Sequence, residues 1–256
     1  MFAAHFHRLS LRAAALHAAL RDNLGTVMLA WVAIAMLGTA ARLAVGPVGG
    51  STIELKTLTP YFLVIGAPLA SMALALHWFR DGNPLPQPAI RFARAGKWRT
   101  VEAAEARAHT LYGPTGLMVS LLVGMLMNLP FRAGEYFLAI PAVSGALPAW
   151  LATLHFMMTL DVVLLSSLYV IAFVAALRKV PLFPRILVTV WAIDLTMQLV
   201  IAAMVSANPL PPGVGEALLP MLDANVKKVL ISVALWTPYL LLSTRVNVTY
   251  RHRLPA

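Results

Sequence analysis

Residues 149–185 read AWLATLHFMMTLDVVLLSSLYVIAFVAALRKVPLFPR, and this stretch decides the fold class. Its first part is almost entirely apolar and is longer than the roughly 20 residues that a helix needs to cross a membrane. A basic group and two prolines follow, and a second apolar run begins directly after them. The pattern predicts two transmembrane helices, at about residues 149–177 and 183–206, joined by a tight turn.

Four further apolar runs have the length of a membrane span, at about residues 24–45, 58–79, 111–129 and 226–244. Hydrophobic residues make up 60% of the chain and charged residues only 12%, whereas a soluble domain carries roughly a quarter charged residues. The sequence therefore predicts an all-α, polytopic membrane protein with six transmembrane helices.

Most of the 20 Lys and Arg residues lie in alternate connections between these runs. They are concentrated in the N-terminal segment, the loop after the second span, the turn after the fourth span and the C-terminal tail. The positive-inside rule then predicts that both termini are cytoplasmic. This topology accounts for the net charge of +10, so we expect no nucleic-acid partner. The expected partner is the lipid bilayer, and contacts with other membrane-protein subunits or a second copy stay open.

Two segments outside the spans are predicted to be amphipathic surface helices. In residues 1–23, apolar side chains recur at helical spacing, with Arg8 and Arg12 off that stripe. This pattern indicates a helix in the membrane interface before the first span, with a solvated, frayed terminus as the alternative. Residues 88–110 are predicted to form a second surface helix, either dipping into the headgroups or fully solvated. The residues of the first apolar stripe are Phe2, Phe6, Leu9, Ala13, Leu16 and Leu20.

Small residues recur on one face of two predicted spans. Gly116, Ser120 and Gly124 are spaced by four residues in the third span, and Gly66 and Ala70 have the same spacing in the second. Close approach of helices in lipid depends on such small residues. They predict helix–helix contacts, either within the bundle or between subunits.

Two acidic residues lie inside predicted spans, Asp161 in the fourth and Asp194 in the fifth. Ionisable groups are costly in hydrocarbon, so each is a candidate functional residue. Gln198 follows Asp194 by one helical turn and lies on the same face. Equal distances from the turn between the two spans place Asp194 level with a polar set on the fourth helix, which consists of Ser166, Ser167 and Tyr169.

Two interpretations of this polar cluster stay open. It is either a proton- or cation-coupled site or a buried polar clasp between helices, in which the aspartic acid can be ionised or protonated. Asp161 is expected about 10 Å nearer the outer face than Asp194, from a rise of 1.5 Å per residue. Because the predicted third span ends near residue 129, Arg132 is expected in an external loop. No Lys or Arg inside a span then pairs with the aspartates, which favours the clasp.

The sequence contains no residue set that is typical of catalysis or of a cofactor site. The absence of cysteine excludes thiolate metal sites and cysteine nucleophiles. His77 and His109 are the one histidine pair expected at similar depth, which is too little for a haem. No phosphate-binding loop, metal-hydrolase motif or nucleophile elbow occurs. We therefore expect no catalytic residue, no cofactor and no metal.

Three short stretches near the end of the chain are similar to a known family. They are ALRKVPLFPR at 176–185, WTPY at 236–239 and STRVNVTY at 243–250. Together they resemble the YdgK-like bacterial inner-membrane family, domain of unknown function 2569. The resemblance covers about residues 111–253 and implies a four-helix transmembrane domain at 111–256 in the bacterial inner membrane. Residues 1–110 would then be an added N-terminal module, and no reaction is implied.

The last of these stretches predicts an interfacial anchor. Trp236, Tyr239, Arg245 and Tyr250 are residue types that favour the headgroup boundary. After Arg245, apolar and polar residues alternate, which predicts an extended segment on the bilayer or against a partner. Anchoring and partner docking both stay open here.

Taken together, these patterns favour a non-enzymatic protein that acts as an accessory, assembly or scaffold subunit of a membrane complex. A small secondary transporter or channel that uses Asp161 and Asp194 is the first alternative. A lipid-modifying enzyme is the second, and it rests on His77, His109 and the basic loop.

Overall fold

The structure, a computed structural model, describes residues 2–48, 50, 53–80, 85–91, 96–207 and 209–256, and of residues 2–10 the backbone alone. Nine helices and two short strands lie in these ranges. The helices are α1 (Phe2–Asp22), α2 (Leu24–Ala44), α3 (Leu55–Trp78), α4 (Ala103–Ala108), α5 (Leu117–Ala139), α6 (Ala149–Leu177), α7 (Phe183–Ser206), α8 (Val214–Leu242) and α9 (Thr244–Arg251). The strands are β1 (Trp98–Thr100) and β2 (Arg253–Pro255), which pair antiparallel.

The helices confirm the predicted all-α class. Five of them, α2, α3, α5, α6 and α7, are long and apolar enough to cross a membrane. Together α8 and α9 form a sixth candidate, bent by 72° at the residue that joins them. The length and composition of these helices indicate a multi-pass membrane protein.

The central element of the bundle is α6. It packs against α3, α5 and α7, while α8 packs on α7 and α2 packs on α5 and α3. Most of its side chains are buried, as expected for a helix that is apolar on every side. We call the end of the bundle that holds the α6–α7 turn, α9 and the two strands the basic end. The connections after α2 and α5 meet at the opposite end, where Val48 bridges to Val143.

One hydrophobic core runs from α2 to α8. The ring of Tyr61 in α3 lies 6.4 Å from that of Tyr136 and 6.2 Å from that of Phe137, both in α5. The indole of Trp31 in α2 donates a hydrogen bond to the carbonyl of Ile65. The helices on either side of residue 110 therefore share one core, and the division of the sequence at that position stays a prediction.

The predicted bounds of the third span are wrong. Residues 111–116 form a turn and α5 begins at Leu117, after Gly116, which has a positive φ of 63°. The helix then continues to Ala139, well past the predicted end near residue 129. The apolar pattern is interrupted at Arg132 and Glu135, which is why the span was predicted to end there. The helix continues because both side chains bind partners on other helices. Arg132 therefore lies in the bundle and not in an external loop.

The predicted surface helix at 88–110 is also wrong, and residues 92–95 lie outside the described part of the chain. The segment forms β1 and the short helix α4 instead. In β1, Trp98 pairs with Pro255 and Thr100 with Arg253. This pairing with a distant strand overrides the local helical pattern. The extended conformation predicted for the tail is limited to β2, because residues 244–251 form α9.

The tail folds back tightly onto the basic end. Tyr250 is fully buried, and its hydroxyl donates a hydrogen bond of 2.9 Å to the carbonyl of Ala176. Its ring lies 4.9 Å from that of Phe183. The amide of Gly113 donates to the hydroxyl of Thr249 at 2.9 Å. The tail therefore closes the basic end of the core.

We expect Tyr250→Ala to lower the free energy of unfolding by about 3–5 kcal/mol, because it empties a fully buried aromatic site. Tyr250→Phe should cost about 1 kcal/mol, since it removes only the hydrogen bond to Ala176. Each variant is heated in mild detergent, and size-exclusion chromatography then measures the fraction of protein that stays monomeric. Trp78→Ala, at an exposed aromatic residue, is the control. Equal melting of Tyr250→Ala and this control would show that the tail does not stabilise the bundle.

Candidate functional site

Arg132 of α5 forms the centre of a buried polar cluster. Its side chain is only 10% exposed. The Nη1 atom donates a hydrogen bond of 2.5 Å to Oδ2 of Asp161 in α6. The Nη2 atom lies 2.9 Å from Oδ1 and 2.8 Å from Oδ2 of Asp194 in α7. One guanidinium thus joins three helices.

Neutral side chains complete the hydrogen bonding of the cluster. The hydroxyl of Tyr169 donates to Oδ2 of Asp194 at 3.0 Å, and Nε2 of Gln198 donates to Oδ1 of Asp161 at 3.1 Å. The Nε atom of Arg132 lies 3.4 Å from Oδ1 of Asn128. Each of the four carboxylate oxygens accepts at least one hydrogen bond, as buried carboxylates require.

The charges of the cluster do not balance when every group is ionised. One guanidinium faces two carboxylates, and both carboxylates are buried. An uncompensated charge in a low-dielectric interior costs several kcal/mol. A bound proton or another cation removes this cost, so the cluster has the composition of a proton- or cation-binding site.

Gln198 indicates where a proton can reside. Its Oε1 atom is buried and has no hydrogen-bond partner among the described residues. A glutamine amide turned by half a rotation exchanges its oxygen and nitrogen with almost no change of shape. In that orientation Oε1 faces Asp161 and accepts a hydrogen bond from its protonated carboxyl group. Asp161 is therefore the carboxyl group that is best placed to hold a proton.

A polar cleft between α5 and α8 leads to the cluster. Its volume is about 60 Å³, which is enough for a few water molecules. At its exposed side, Lys228 of α8 forms an ion pair with Glu135 of α5. Arg132 and Tyr169 line its inner part. The full lining consists of Asn128, Phe131, Arg132, Glu135, Tyr169, Asn225, Lys228, Val229 and Ser232.

Towards the basic end, the cluster is closed by apolar side chains. Leu165 and Phe173 of α6 and Leu187 of α7 are fully buried on that side, and Trp191 of α7 is buried. Among the described residues, the α5–α8 cleft is the pocket that Arg132 and Tyr169 line.

The structure brings Asp161, Asp194 and Gln198 together. Tyr169, which the sequence places level with Asp194, contacts it directly. The hydroxyl of Ser166 is buried without a hydrogen-bond partner among the described residues. Ser167 is half-buried, and no hydrogen bond to the cluster is found for it in the described part of the chain. The predicted 10 Å difference in depth is wrong, because both aspartates contact the same guanidinium.

Sequence reasoning missed Arg132. The signal that could have found it is the continuation of the apolar pattern after residue 129, where PFRAGEYFLA keeps buried residues at helical spacing. An arginine within an apolar helix of a membrane bundle typically pairs with acidic side chains on neighbouring helices.

The small residues predicted at helix contacts occupy other environments. Gly116 is the N-cap of α5, where an added Cβ would lie 3.5 Å from Arg245. Ser120, Gly124 and Ala70 are exposed. An added Cβ at Gly124 or Gly66 would meet no atom within 4 Å. The prediction that these positions pack inside the bundle is wrong, and contact with another subunit stays a prediction.

Two of the four predicted anchor residues are held inside the protein. Tyr250 is buried, and Nη1 of Arg245 donates to the carbonyls of Leu111 and Gly113 at 3.2 and 3.3 Å. Arg245 therefore fixes the turn before α5. Trp236 and Tyr239 are half-buried with ring centres 6.0 Å apart, and their role at the membrane interface stays a prediction.

Comparison with known proteins finds no matching family model, no similar curated protein and no similar solved structure. The resemblance of residues 111–253 to the YdgK-like family stays a prediction. Within the described residues, no group of three or more His, Cys, Asp or Glu side chains is placed to hold a metal ion.

We expect Arg132→Gln to lower the free energy of unfolding by about 3–5 kcal/mol, because it leaves two buried carboxylates without a cation. Asp161→Asn should be tolerated, since it leaves a one-to-one pair between Arg132 and Asp194. Lys228→Gln breaks an exposed ion pair and should cost at most about 1 kcal/mol. Thermal melting in detergent measures all three variants. If Arg132→Gln and Lys228→Gln have the same melting temperature, the cluster does not stabilise the packing of the helices.

Proposed function

We propose that this chain is a small secondary transporter in which the Arg132 cluster binds and releases a proton. The observation that supports it is the sharing of one buried guanidinium by two buried carboxylates. Ionisable groups at such positions of membrane bundles are typical of proton and ion pathways. The reason for favouring the predicted clasp was the absence of a cation partner, and Arg132 lies beside both aspartates.

A proton fits the cluster better than a metal ion. Arg132 occupies the space between Asp161 and Asp194, and hydrogen-bond donors already engage every carboxylate oxygen. A metal ion would have to displace the guanidinium. A proton needs only one oxygen of Asp161 and the turned amide of Gln198.

Protonation would change the contacts between helices. A neutral Asp161 loses most of its attraction to Arg132, whereas Asp194 keeps the guanidinium and the hydroxyl of Tyr169. The link between α5 and α6 weakens while the link between α5 and α7 stays. This differential effect allows proton binding to favour a second helix arrangement, as coupled transport requires.

Access from one side supports the same proposal. The α5–α8 cleft reaches Arg132 and Tyr169, whereas Leu165, Phe173 and Leu187 are buried on the side towards the basic end. A transporter with alternating access has such a one-sided opening in each of its two states.

Proton movement can be measured in proteoliposomes that contain a pH-sensitive dye and carry an imposed membrane potential. We expect Asp161→Asn to reduce proton flux to the level of protein-free liposomes, because the proton-binding carboxyl is gone. Asp223→Asn is the matched control. It removes an equal charge from an exposed carboxylate of α8 that pairs with Lys227, and its flux should equal that of the wild type.

Infrared titration separates the proton site from transport. A protonated buried carboxyl has a carbonyl stretch that Asp161→Asn should abolish and Asp223→Asn should leave in place. Unchanged flux in Asp161→Asn, together with an unchanged infrared band, would refute the proposal.

We further propose six spans in the bacterial inner membrane, with both termini cytoplasmic and α1 lying in the interface. The support comes from the basic residues near the α6–α7 turn and in the tail, and from the YdgK-like resemblance. Because the chain has no cysteine, each introduced cysteine is a unique label site. We expect an impermeant maleimide to label Ala146→Cys in spheroplasts and Ala256→Cys only after permeabilisation. Both residues are exposed, at opposite ends of the bundle, and the reverse labelling would invert the topology.

An accessory subunit of a membrane complex is the second candidate function. Its support is the exposed face of α5 that contains Ser120 and Gly124, where small side chains leave room for another helix. Purification from native membranes in mild detergent that yields this chain alone would count against it.

A further inference from the structure

A second cavity lies at the basic end, between α7 and the C-terminal part of α8. Its volume is about 210 Å³. Among the described residues, three arginines line it, Arg91, Arg185 and Arg251, and no acidic side chain does.

Arg251 is the most deeply placed of these cations, with 6% of its surface exposed. Its Nη1 atom donates to the carbonyl of Leu240 at 2.7 Å and to Oδ1 of Asn247 at 3.2 Å. Both acceptors are neutral. Within the described ranges, no acidic side chain forms an ion pair with Arg251 or Arg91. A buried cation with neutral partners alone is costly, so an anion from outside would stabilise it.

The surroundings of the cavity add further positive charge. Nη1 of Arg91 donates to the carbonyl of Arg251 at 3.2 Å, and Nη1 of Arg253 donates to that of Arg91 at 3.1 Å. Burial and the neighbouring Arg253 lower the pKa of Arg91. Burial, Arg91 and Arg107 likewise lower the pKa of His252. Cations thus repel one another here, and a bound anion would relieve that repulsion.

The cavity also has an apolar side. Leu240 and Leu241 of α8 and Val188 of α7 form part of its wall, and Val188 is 48% exposed on the outer surface of the bundle. An apolar rim beside clustered arginines matches a molecule that joins an anionic group to hydrocarbon chains. Arginine binds phosphate oxygens with charge-assisted, often bidentate, hydrogen bonds.

We propose that this cavity binds the phosphate group of an anionic phospholipid, with Arg91, Arg185 and Arg251 around the phosphate and the acyl chains along α7 and α8. Basic pockets between transmembrane helices bind such headgroups on the cytoplasmic side of membranes. The site lies at the basic end and is independent of the proton site at Arg132.

Native mass spectrometry of the purified chain in mild detergent tests this proposal. The wild type is titrated with phosphatidylglycerol, with phosphatidylcholine and, separately, with phosphatidylglycerol in the presence of inorganic phosphate. We expect Arg251→Gln and Arg91→Gln each to lower the ratio of phosphatidylglycerol-bound to free protein about tenfold. Arg91 is only partly buried, so its variant keeps the test valid if Arg251→Gln does not fold.

Arg99→Gln is the matched control, because Arg99 lies at the same end but is exposed and pairs with Glu105 outside the cavity. Its lipid binding should equal that of the wild type. Equal binding by Arg91→Gln and Arg99→Gln would overturn the proposal, as would equal affinity for phosphatidylcholine. Displacement of the lipid by millimolar phosphate would overturn the lipid assignment and make this a site for free phosphate.

Discussion

The shared guanidinium of Arg132 is the interaction on which the arrangement of the bundle depends. Helices in lipid gain little from hydrophobic association, so close packing and polar contacts must fix their positions. The backbone of α5 packs on α2 and α6 rather than on α7, and Arg132 supplies its ionic link to α7. The same contacts that position the three helices also define the candidate proton site. The proposed proton site and the ionic links between the three helices are therefore the same side chains.

Much of the fold follows from simple patterns in the sequence. The apolar runs predicted the fourth and fifth helices at 149–177 and 183–206, and the structure has them at these bounds. Helical spacing and the short turn also placed Asp194, Gln198 and Tyr169 near one another. These inferences succeeded because they depend on local geometry, namely the period of a helix and the length of a turn.

The errors arose where distant residues decide the outcome. A hydropathy pattern ends a span at a charge, but Arg132 is stabilised by partners 29 and 62 residues away. The segment around Trp98 forms a strand because β2 supplies its partner from the end of the chain. The alternating pattern of the tail is compatible with a strand, yet residues 244–251 are helical and residues 246–251 are buried. None of these outcomes can be derived from a short window of sequence, because tertiary contacts supply the free energy that stabilises them.

The position of α9 has a consequence for biogenesis. It follows α2 to α8 in the sequence, so it leaves the ribosome after them, yet Tyr250 fills a fully buried site against Ala176 and Phe183. The bundle therefore cannot complete its basic end during insertion of the helices into the membrane. Until α9 docks, the carbonyl of Ala176 and the amide of Gly113 lack their partners, and the end of the core is open to water. Closure of the basic end is thus a late step of assembly, because its last contacts are made by the element that is synthesised after the helices it covers.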